Sequence, residues 1–188
     1  MARYSNNEYA KLDEMAINLR MDYGCYEYKL DVFQLVQKMC ITLVPYSKIS
    51  EEKRNNLFEH NVNDGFTAIG HGVWEYIIYY NDGMPLSRQH FTIAHEIKHV
   101  LYCEKDPSQK DEELADHFAR ALLAPSCLLF DYIENQNVAE VADRFGISNP
   151  AAKYALTALN SRVGAMGTQL KQYEIEYLDY INSYNLTN

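Results

Sequence analysis

The sequence has few positive charges relative to its negative ones. Its 17 Lys and Arg residues stand against 26 Asp and Glu residues, which gives a formal net charge of −9. Proteins that bind nucleic acids or anionic membranes through general electrostatic attraction normally carry a basic face. The charge balance therefore argues against direct nucleic-acid binding and against membrane association.

The sequence also has few cysteines and lacks a long apolar run. Cys25, Cys40, Cys103 and Cys127 are widely spaced and form no C-x-x-C pair, so we expect reduced thiols rather than disulfides or a cysteine-rich zinc site. The first residues lack the apolar region of a secretory signal, and no run reaches the roughly 18 apolar residues of a membrane span. These absences predict a cytoplasmic protein.

The order of the local patterns predicts an α+β fold. Helical spacing over residues 6–23 and 31–40 is followed by three short runs rich in β-branched and aromatic residues, ITLVPY, DGFTAIG and VWEYIIYY. The last two runs favour a β-hairpin. Helical patterns then continue to the end of the chain. This order is typical of a small mixed sheet packed on helices.

Two helices in the middle of the chain have clear start signals. Ser87 is positioned to cap the first helix, and Ser108 with Asp111 forms a capping pair for the second. We predict a first domain over residues 1–130, including the N-terminal helices, and a separate helical region over residues 131–188.

The first of these helices contains His95-Glu96-Ile97-Lys98-His99. Residues four apart lie on one helix face, so both histidines can direct a ring nitrogen at one metal ion. Glu96 lies about 100° around the helix, where it can accept a proton from a water molecule beside that ion. This H-E-x-x-H pattern occurs by chance in about one chain of this length in a hundred. The pattern therefore predicts a zinc hydrolase site.

A catalytic zinc ion needs a third protein ligand, and the following helix offers acidic candidates. Glu112 and Asp116 are four residues apart and share one face. We predict Glu112 as the third ligand and Asp116 as the carboxylate that accepts a hydrogen bond from a ligand histidine. Glu113 and His117 lie off this face. The alternative interpretation is a solvated acidic helix start that the helix dipole favours.

The segments RQHFTIAHEIKHVL and EELADHFARALLAP closely resemble the ImmA/IrrE family of zinc metallopeptidase-like proteins, and a looser resemblance extends over residues 30–160. The resemblance implies a zincin-like core of the gluzincin type, with His95, His99 and Glu112 as Zn²⁺ ligands and Glu96 as the base. It also implies a cytoplasmic anti-repressor, often encoded by a phage or mobile element, that cleaves or disables a helix-turn-helix repressor.

Three positions depart from the family pattern. The family often has glycine where Lys98 stands, arginine where His90 stands and histidine where Cys103 stands. None of these departures removes a predicted ligand. We expect Lys98, the unusual residue inside the motif, to face solvent.

A peptidase must also hold an extended peptide and stabilise the developing oxyanion. The strand VWEYIIYYN is either an exposed edge that aligns the peptide or an internal strand that covers the helices. Four residues are alternative oxyanion donors, and the sequence does not choose among them: Tyr102, His71, His90 and His117.

The helical tail has two patterns of its own. Residues 138–162 have the spacing of a helix-turn-helix, but its second helix offers only Lys153 and Arg162 as cations, so partner docking or structural packing is favoured over DNA binding. Tyrosines recur along residues 168–185, as expected for packing against the protein's own core or for a homodimer surface.

These patterns together predict a zinc-dependent endopeptidase, a hydrolase that acts on a protein partner. The family resemblance implies that this partner is a helix-turn-helix transcriptional repressor. The alternatives are a regulatory module that sequesters its partner without cutting it, and a DNA-binding regulator that uses residues 138–162.

Overall fold

The structure, a computed structural model, describes residues 6–70, 76–104 and 106–187. The elements follow in the order α1 Asn6–Asp22, α2 Val32–Lys38, β1 Thr42–Pro45, α3 Glu51–Glu59, β2 Gly65–Ile69, β3 Tyr76–Tyr80, α4 Leu86–Leu101, α5 Gln109–Leu123, α6 Val138–Phe145, α7 Asn149–Met166 and α8 Gln172–Thr187. Short 3-10 helices cover Tyr46–Lys48 and Ser126–Tyr132. The predicted α+β fold is confirmed.

The chain divides into two compact units. Asp31–Asp116 forms the sheet unit, and Met1–Leu30 together with His117–Asn188 forms the helical unit. The division falls within α5. The predicted domain boundary at residue 130 stays a prediction.

The sheet of the described residues has the strand order β1-β3-β2. β1 runs parallel to β3, with Thr42 opposite Ile77, and β2 runs antiparallel to β3, with Gly65 opposite Tyr80. The antiparallel pairing agrees with the predicted hairpin, although its connection, residues 71–75, lies outside the described residues. Residues 73–75 of the segment VWEYIIYYN lie outside the described residues. Its described part forms the central strand β3, so the interpretation as an exposed edge is wrong there and the internal alternative is correct. β2 takes the edge position instead.

Helix α4 packs against β2, β3 and α2. Its apolar stripe includes Ile93 and Ile97, which are fully buried, as is Ile78 on the central strand. The close approach of β2 to α4 requires a glycine at position 65. A Cβ atom there would stand 2.5 Å from the Thr92 side chain and 2.6 Å from the Tyr79 carbonyl oxygen. This packing fixes the histidine-bearing helix against the edge strand.

The start of α5 confirms its predicted cap, whereas the start of α4 differs from the prediction. The Asp111 carboxylate accepts a hydrogen bond from the Ser108 backbone at 2.9 Å, and the Ser108 hydroxyl lies 3.3 Å from the Asp111 backbone nitrogen. Helix α4 begins at Leu86, directly after Pro85, and has no side-chain cap. Ser87 lies inside the first turn because Pro85, with its fixed φ, sets the start of the helix.

The helical unit has its own apolar core, to which α6, α7 and α8 contribute Phe145, Leu156 and Tyr177. Arg20 of α1 is fully buried within this unit. Its guanidinium donates to the Tyr177 hydroxyl at 2.5 Å and to the Leu122 carbonyl oxygen at 2.8 Å. A buried charge is tolerated where such hydrogen bonds replace water.

Helices α6 and α7 have the helix–turn–helix spacing expected over residues 138–162. Gly146 ends α6 with φ 66°, in the left-handed region that favours glycine. The Ser148 hydroxyl caps α7 through the backbone nitrogen of Ala151.

The tail helix α8 contributes Tyr184, whose ring stacks on that of Tyr26 with centroids 3.8 Å apart. Tyr177 of the same helix is fully buried. The tyrosine stripe thus packs on its own unit, as one of its two interpretations predicted; a homodimer surface stays a prediction. In the described ranges, no helix is long and apolar enough to cross a membrane.

Candidate metal centre

Helix α4 presents both motif histidines on one face. The Nε2 atoms of His95 and His99 lie 3.1 Å apart. The two Nε2 atoms cannot both carry a proton at this distance, because two N–H groups would then point at each other. At least one of them therefore presents a lone pair to the other ring. Because the two residues are four apart on a regular helix, the sequence was sufficient to predict this arrangement.

Glu112, in the first turn of α5, completes a group of three. Its two carboxylate oxygens lie 3.0 Å from His95 Nε2 and 3.6 Å from His99 Nε2. Two donors held at 2.0–2.1 Å by a tetrahedral zinc ion stand about 3.3 Å apart. The distance between the two Nε2 atoms and the two distances from Nε2 to a Glu112 oxygen scatter around this value. One ligand atom from each of the three residues lies within 4.8 Å of the others. The residues therefore fit a metal ion bound by two imidazoles and one carboxylate.

The far side of each imidazole ring meets a carboxylate. His95 Nδ1 lies 3.0 Å from Asp116 Oδ1, and His99 Nδ1 lies 2.6 Å from Glu104 Oε2. An ionised carboxylate only accepts hydrogen bonds, so each Nδ1 carries the proton and each Nε2 is left as a donor to a metal. The sequence pattern pointed to Asp116, whereas Glu104, in the loop after α4, was missed.

The carboxylates around His95 favour a positive charge at this position. Burial lowers the pKa of His95, but the hydrogen bond with Asp116 and the negative charges of Glu96, Glu112 and Asp116 outweigh burial and raise it above its usual value. A site that stabilises a protonated imidazole has the electrostatic character that a bound cation also needs.

Glu96 lies on the same helix with 8% of its surface exposed. The Thr67 hydroxyl of β2 donates to its Oε2 at 2.8 Å. Burial raises the pKa of Glu96 above its usual range, while the Thr67 hydrogen bond and the two histidines oppose this rise. A raised pKa makes a carboxylate a better proton acceptor. Thr67 was not singled out from the sequence, because the contact joins residues 29 positions apart.

Lys98 does not face solvent, so the expectation for this residue is wrong. The residue is 1% exposed, and its ammonium group donates to both carboxylate oxygens of Glu104 at 2.6 and 2.7 Å. The loop after α4 folds back over the helix and brings Glu104 to this lysine. An ammonium group can be buried where a carboxylate neutralises it.

A cavity of about 250 Å³ opens beside His95, Glu96 and Glu112. Gly65 of the edge strand and Arg88 of α4 also line it. The Arg88 guanidinium is held by the Asp64 carboxylate, with Nε–Oδ1 at 3.1 Å and Nη2–Oδ2 at 2.5 Å. The cavity makes His95, Glu96 and Glu112 accessible to a small molecule.

The candidate oxyanion donors lie away from the cavity or outside the described residues. His117 belongs to the helical unit, where its Nε2 atom lies 2.8 Å from the Asp13 carboxylate. His90 is buried against the Phe33 ring, and Tyr102 is 47% exposed. His71 lies outside the described residues. None of the described candidates for the oxyanion donor is among the residues that line the cavity.

The fold is α+β, two histidines lie on one helix and a carboxylate lies on the next. This combination defines a zincin-like protein of the metallopeptidase type. The chain matches the peptidase family described as the IrrE N-terminal-like domain over residues 46–157 and belongs to this family. The resemblance to ImmA/IrrE proteins is thereby confirmed. No significant match to a curated protein was found.

Proposed function

We propose that the protein is a zinc-dependent endopeptidase that cuts a protein partner, and that this partner is a helix-turn-helix transcriptional repressor. The observation that carries the proposal is the convergence of His95, His99 and Glu112 beside the buried carboxylate of Glu96. Two imidazoles and a glutamate are a ligand set of catalytic zinc sites. The repressor as substrate rests on the family resemblance.

Each residue of the site has a role in this proposal. His95, His99 and Glu112 bind the metal, and Asp116 holds His95 in the required tautomer. A zinc ion bound there would polarise the scissile carbonyl and lower the pKa of a neighbouring water molecule. Glu96 accepts the proton of the attacking water at Oε1, since Thr67 occupies Oε2. The same carboxyl group then passes the proton to the leaving amine nitrogen.

The edge strand β2 provides a place for the substrate backbone. The strand order leaves one side of β2 without a partner strand in the described part of the sheet. An extended peptide can add to such an edge through main-chain hydrogen bonds. Gly65 on this strand and Glu96 line the same cavity, so a peptide paired with β2 would pass close to the proton acceptor.

The test uses the purified protein and the repressor encoded beside its gene. The metal-loaded protein is expected to generate defined repressor fragments in peptide mass analysis, and removal of the metal with a chelator should stop their formation until zinc is restored. Glu96→Gln should bind the metal as the unmodified protein does but yield no fragments. Glu113→Gln, an exposed acid one residue after the proposed ligand, is the matched control and should cut normally.

The rival function is a module that sequesters the repressor without cutting it. A stable complex with an intact repressor, formed equally by the unmodified protein and by Glu96→Gln, would support this rival and contradict the peptidase proposal. Fragments that persist in Glu96→Gln would also contradict the assigned role of this carboxylate.

A further inference from the structure

The buried lysine in the middle of the motif requires an explanation. Lys98 is 1% exposed and lies between the two histidines of α4 in sequence. Burying an ammonium group costs several kcal/mol unless charges and hydrogen bonds replace its water. A lysine beside a site for a divalent cation also opposes that cation by charge repulsion. The residue must therefore contribute something that offsets both costs.

The contacts of Lys98 extend to both sides of the metal centre. Its Nζ donates to the two carboxylate oxygens of Glu104 at 2.6 and 2.7 Å and to the Asp111 carbonyl oxygen at 3.2 Å. These acceptors match the three donors of an ammonium group. Glu104 lies in the loop after α4, and Asp111 lies in the first turn of α5. Lys98 thus ties this loop to the start of the next helix.

Each group that Lys98 contacts is itself directly connected to a proposed metal ligand, either by a hydrogen bond or along the chain. Glu104 Oε2 lies 2.6 Å from His99 Nδ1, so the carboxylate that neutralises Lys98 also fixes the imidazole ring. Asp111 directly precedes Glu112 in the chain. A hydrogen bond to the Asp111 carbonyl group therefore restrains the backbone from which the third ligand projects.

We infer that Lys98 and Glu104 form a positioning pair for the metal site. Glu104 holds His99 in the tautomer that leaves Nε2 as a donor. Lys98 holds Glu104 in place and anchors the helix start that carries Glu112. The charge of Glu104 also shields the site from the charge of Lys98. The inference rests on the proposed metal site and deepens it, since it explains how this chain tolerates a lysine inside its motif.

The first experiment measures zinc affinity by competition with a chromophoric chelator. Glu104→Gln should weaken binding by about 10- to 100-fold, because one amide oxygen cannot replace two carboxylate oxygens as the acceptor for both His99 Nδ1 and Lys98, and the charge that neutralises Lys98 is lost. Lys98→Met should weaken binding less, since Glu104 can still accept from His99. The double variant should recover part of the loss of Glu104→Gln, because no unpaired cation remains.

The matched control is Glu174→Gln, which breaks a buried ion pair of the helical unit. Glu174 is 1% exposed and lies 2.5 Å from Arg162 Nη1. This variant should lower thermal stability without changing zinc affinity. If Glu104→Gln binds zinc as tightly as the unmodified protein, or loses only as much affinity as Glu174→Gln, the inference is wrong. An unfolded Glu104→Gln leaves the double variant as the deciding protein, and zinc affinity equal to that of the unmodified protein would then overturn the inference.

A second readout tests the inference without metal or activity. Long-range ¹H–¹⁵N spectra of the histidine rings report which ring nitrogen carries the proton. The metal-free protein should show His99 protonated at Nδ1, and Glu104→Gln should weaken this preference, because His99 and Lys98 then share one acceptor oxygen. An unchanged tautomer would overturn the positioning role. Absence of zinc binding by the unmodified protein would instead contradict the proposed function, so the two failures are distinguishable.

Discussion

At the residue scale, the site depends on which atom of each side chain is engaged in a hydrogen bond. His95 and His99 direct Nε2 inward because Asp116 and Glu104 take up the Nδ1 protons. The Thr67 hydroxyl donates to Glu96 Oε2, which leaves Oε1 for the proposed proton transfer. The motif predicted the grouping of the histidines with Glu112. The burial of Lys98 and the contacts of Thr67 and Glu104 depend on a loop and a strand whose placement no local spacing encodes.

Thr67→Val tests the placement of Glu96. The variant removes the hydroxyl but keeps the side-chain shape, so Glu96 loses one hydrogen bond of about 1–2 kcal/mol. We expect kcat for cleavage of the repressor to fall by roughly 5- to 30-fold with unchanged zinc affinity. Steady-state kinetics and chelator competition measure the two quantities. Thr42→Val, at an exposed position of β1, is the control, and equal losses in both variants would contradict the role of Thr67.

At the scale of elements, the pairing of strands decides which segment can receive a peptide. The composition of VWEYIIYYN suits either an edge or a central strand, because aromatic and β-branched residues are common in both. The strand order shows that β3 is central, since β3 has β1 on one side and β2 on the other. Gly65 then allows β2 to approach α4 closely, next to the cavity.

Gly65→Ala tests this close approach. The added Cβ atom would stand 2.6 Å from the Tyr79 carbonyl oxygen, a backbone atom that cannot move away cheaply. We expect the free energy of unfolding to fall by about 1–3 kcal/mol through overpacking, and KM for the substrate to rise because the edge strand shifts. Urea unfolding and steady-state kinetics measure these effects. Gly164→Ala, where the added Cβ atom meets nothing within 4 Å, should not destabilise the protein.

At the scale of the whole molecule, each compact unit has its own polar anchor. In the sheet unit, Lys98 is buried against the partly buried Glu104 beside the candidate metal centre. In the helical unit, Arg20 binds acceptors on α5, on α8 and in the segment after α1, including the Leu122 and Tyr28 carbonyl oxygens. A single guanidinium therefore satisfies groups from segments that are distant in the sequence.

Arg20→Met should destabilise the helical unit strongly. The substitution keeps an apolar stem but leaves the Leu122 carbonyl oxygen and the Tyr177 hydroxyl without their buried donor. We expect the free energy of unfolding to fall by at least about 3 kcal/mol, measured by urea denaturation. Arg144→Met, an exposed residue whose guanidinium lies 3.9 Å from the Tyr28 ring centroid, should cost less than about 1 kcal/mol. Similar losses would contradict the anchoring role of Arg20.

The helix–turn–helix spacing of α6 and α7 also belongs to this scale, because charge decides what the motif can bind. Arg162, one of the two cations of α7, donates to both carboxylate oxygens of Glu174 at 2.5 and 2.6 Å. With a net charge of −9, we expect no binding of duplex DNA near 0.15 M salt in fluorescence anisotropy. Tight binding that weakens steeply with added salt would instead favour the DNA-binding alternative.

The sequence by itself determined the α+β order, the helix that carries both histidines and the carboxylate of the next helix. These features follow from short-range periodicity, since residues four apart on a helix share a face whatever surrounds them. The tertiary structure decided which strand forms the edge, that Thr67 meets Glu96, and that Lys98 is buried on Glu104. Such contacts depend on how separate segments pack, and the energy that holds a buried lysine exists only after its partner has been brought to it.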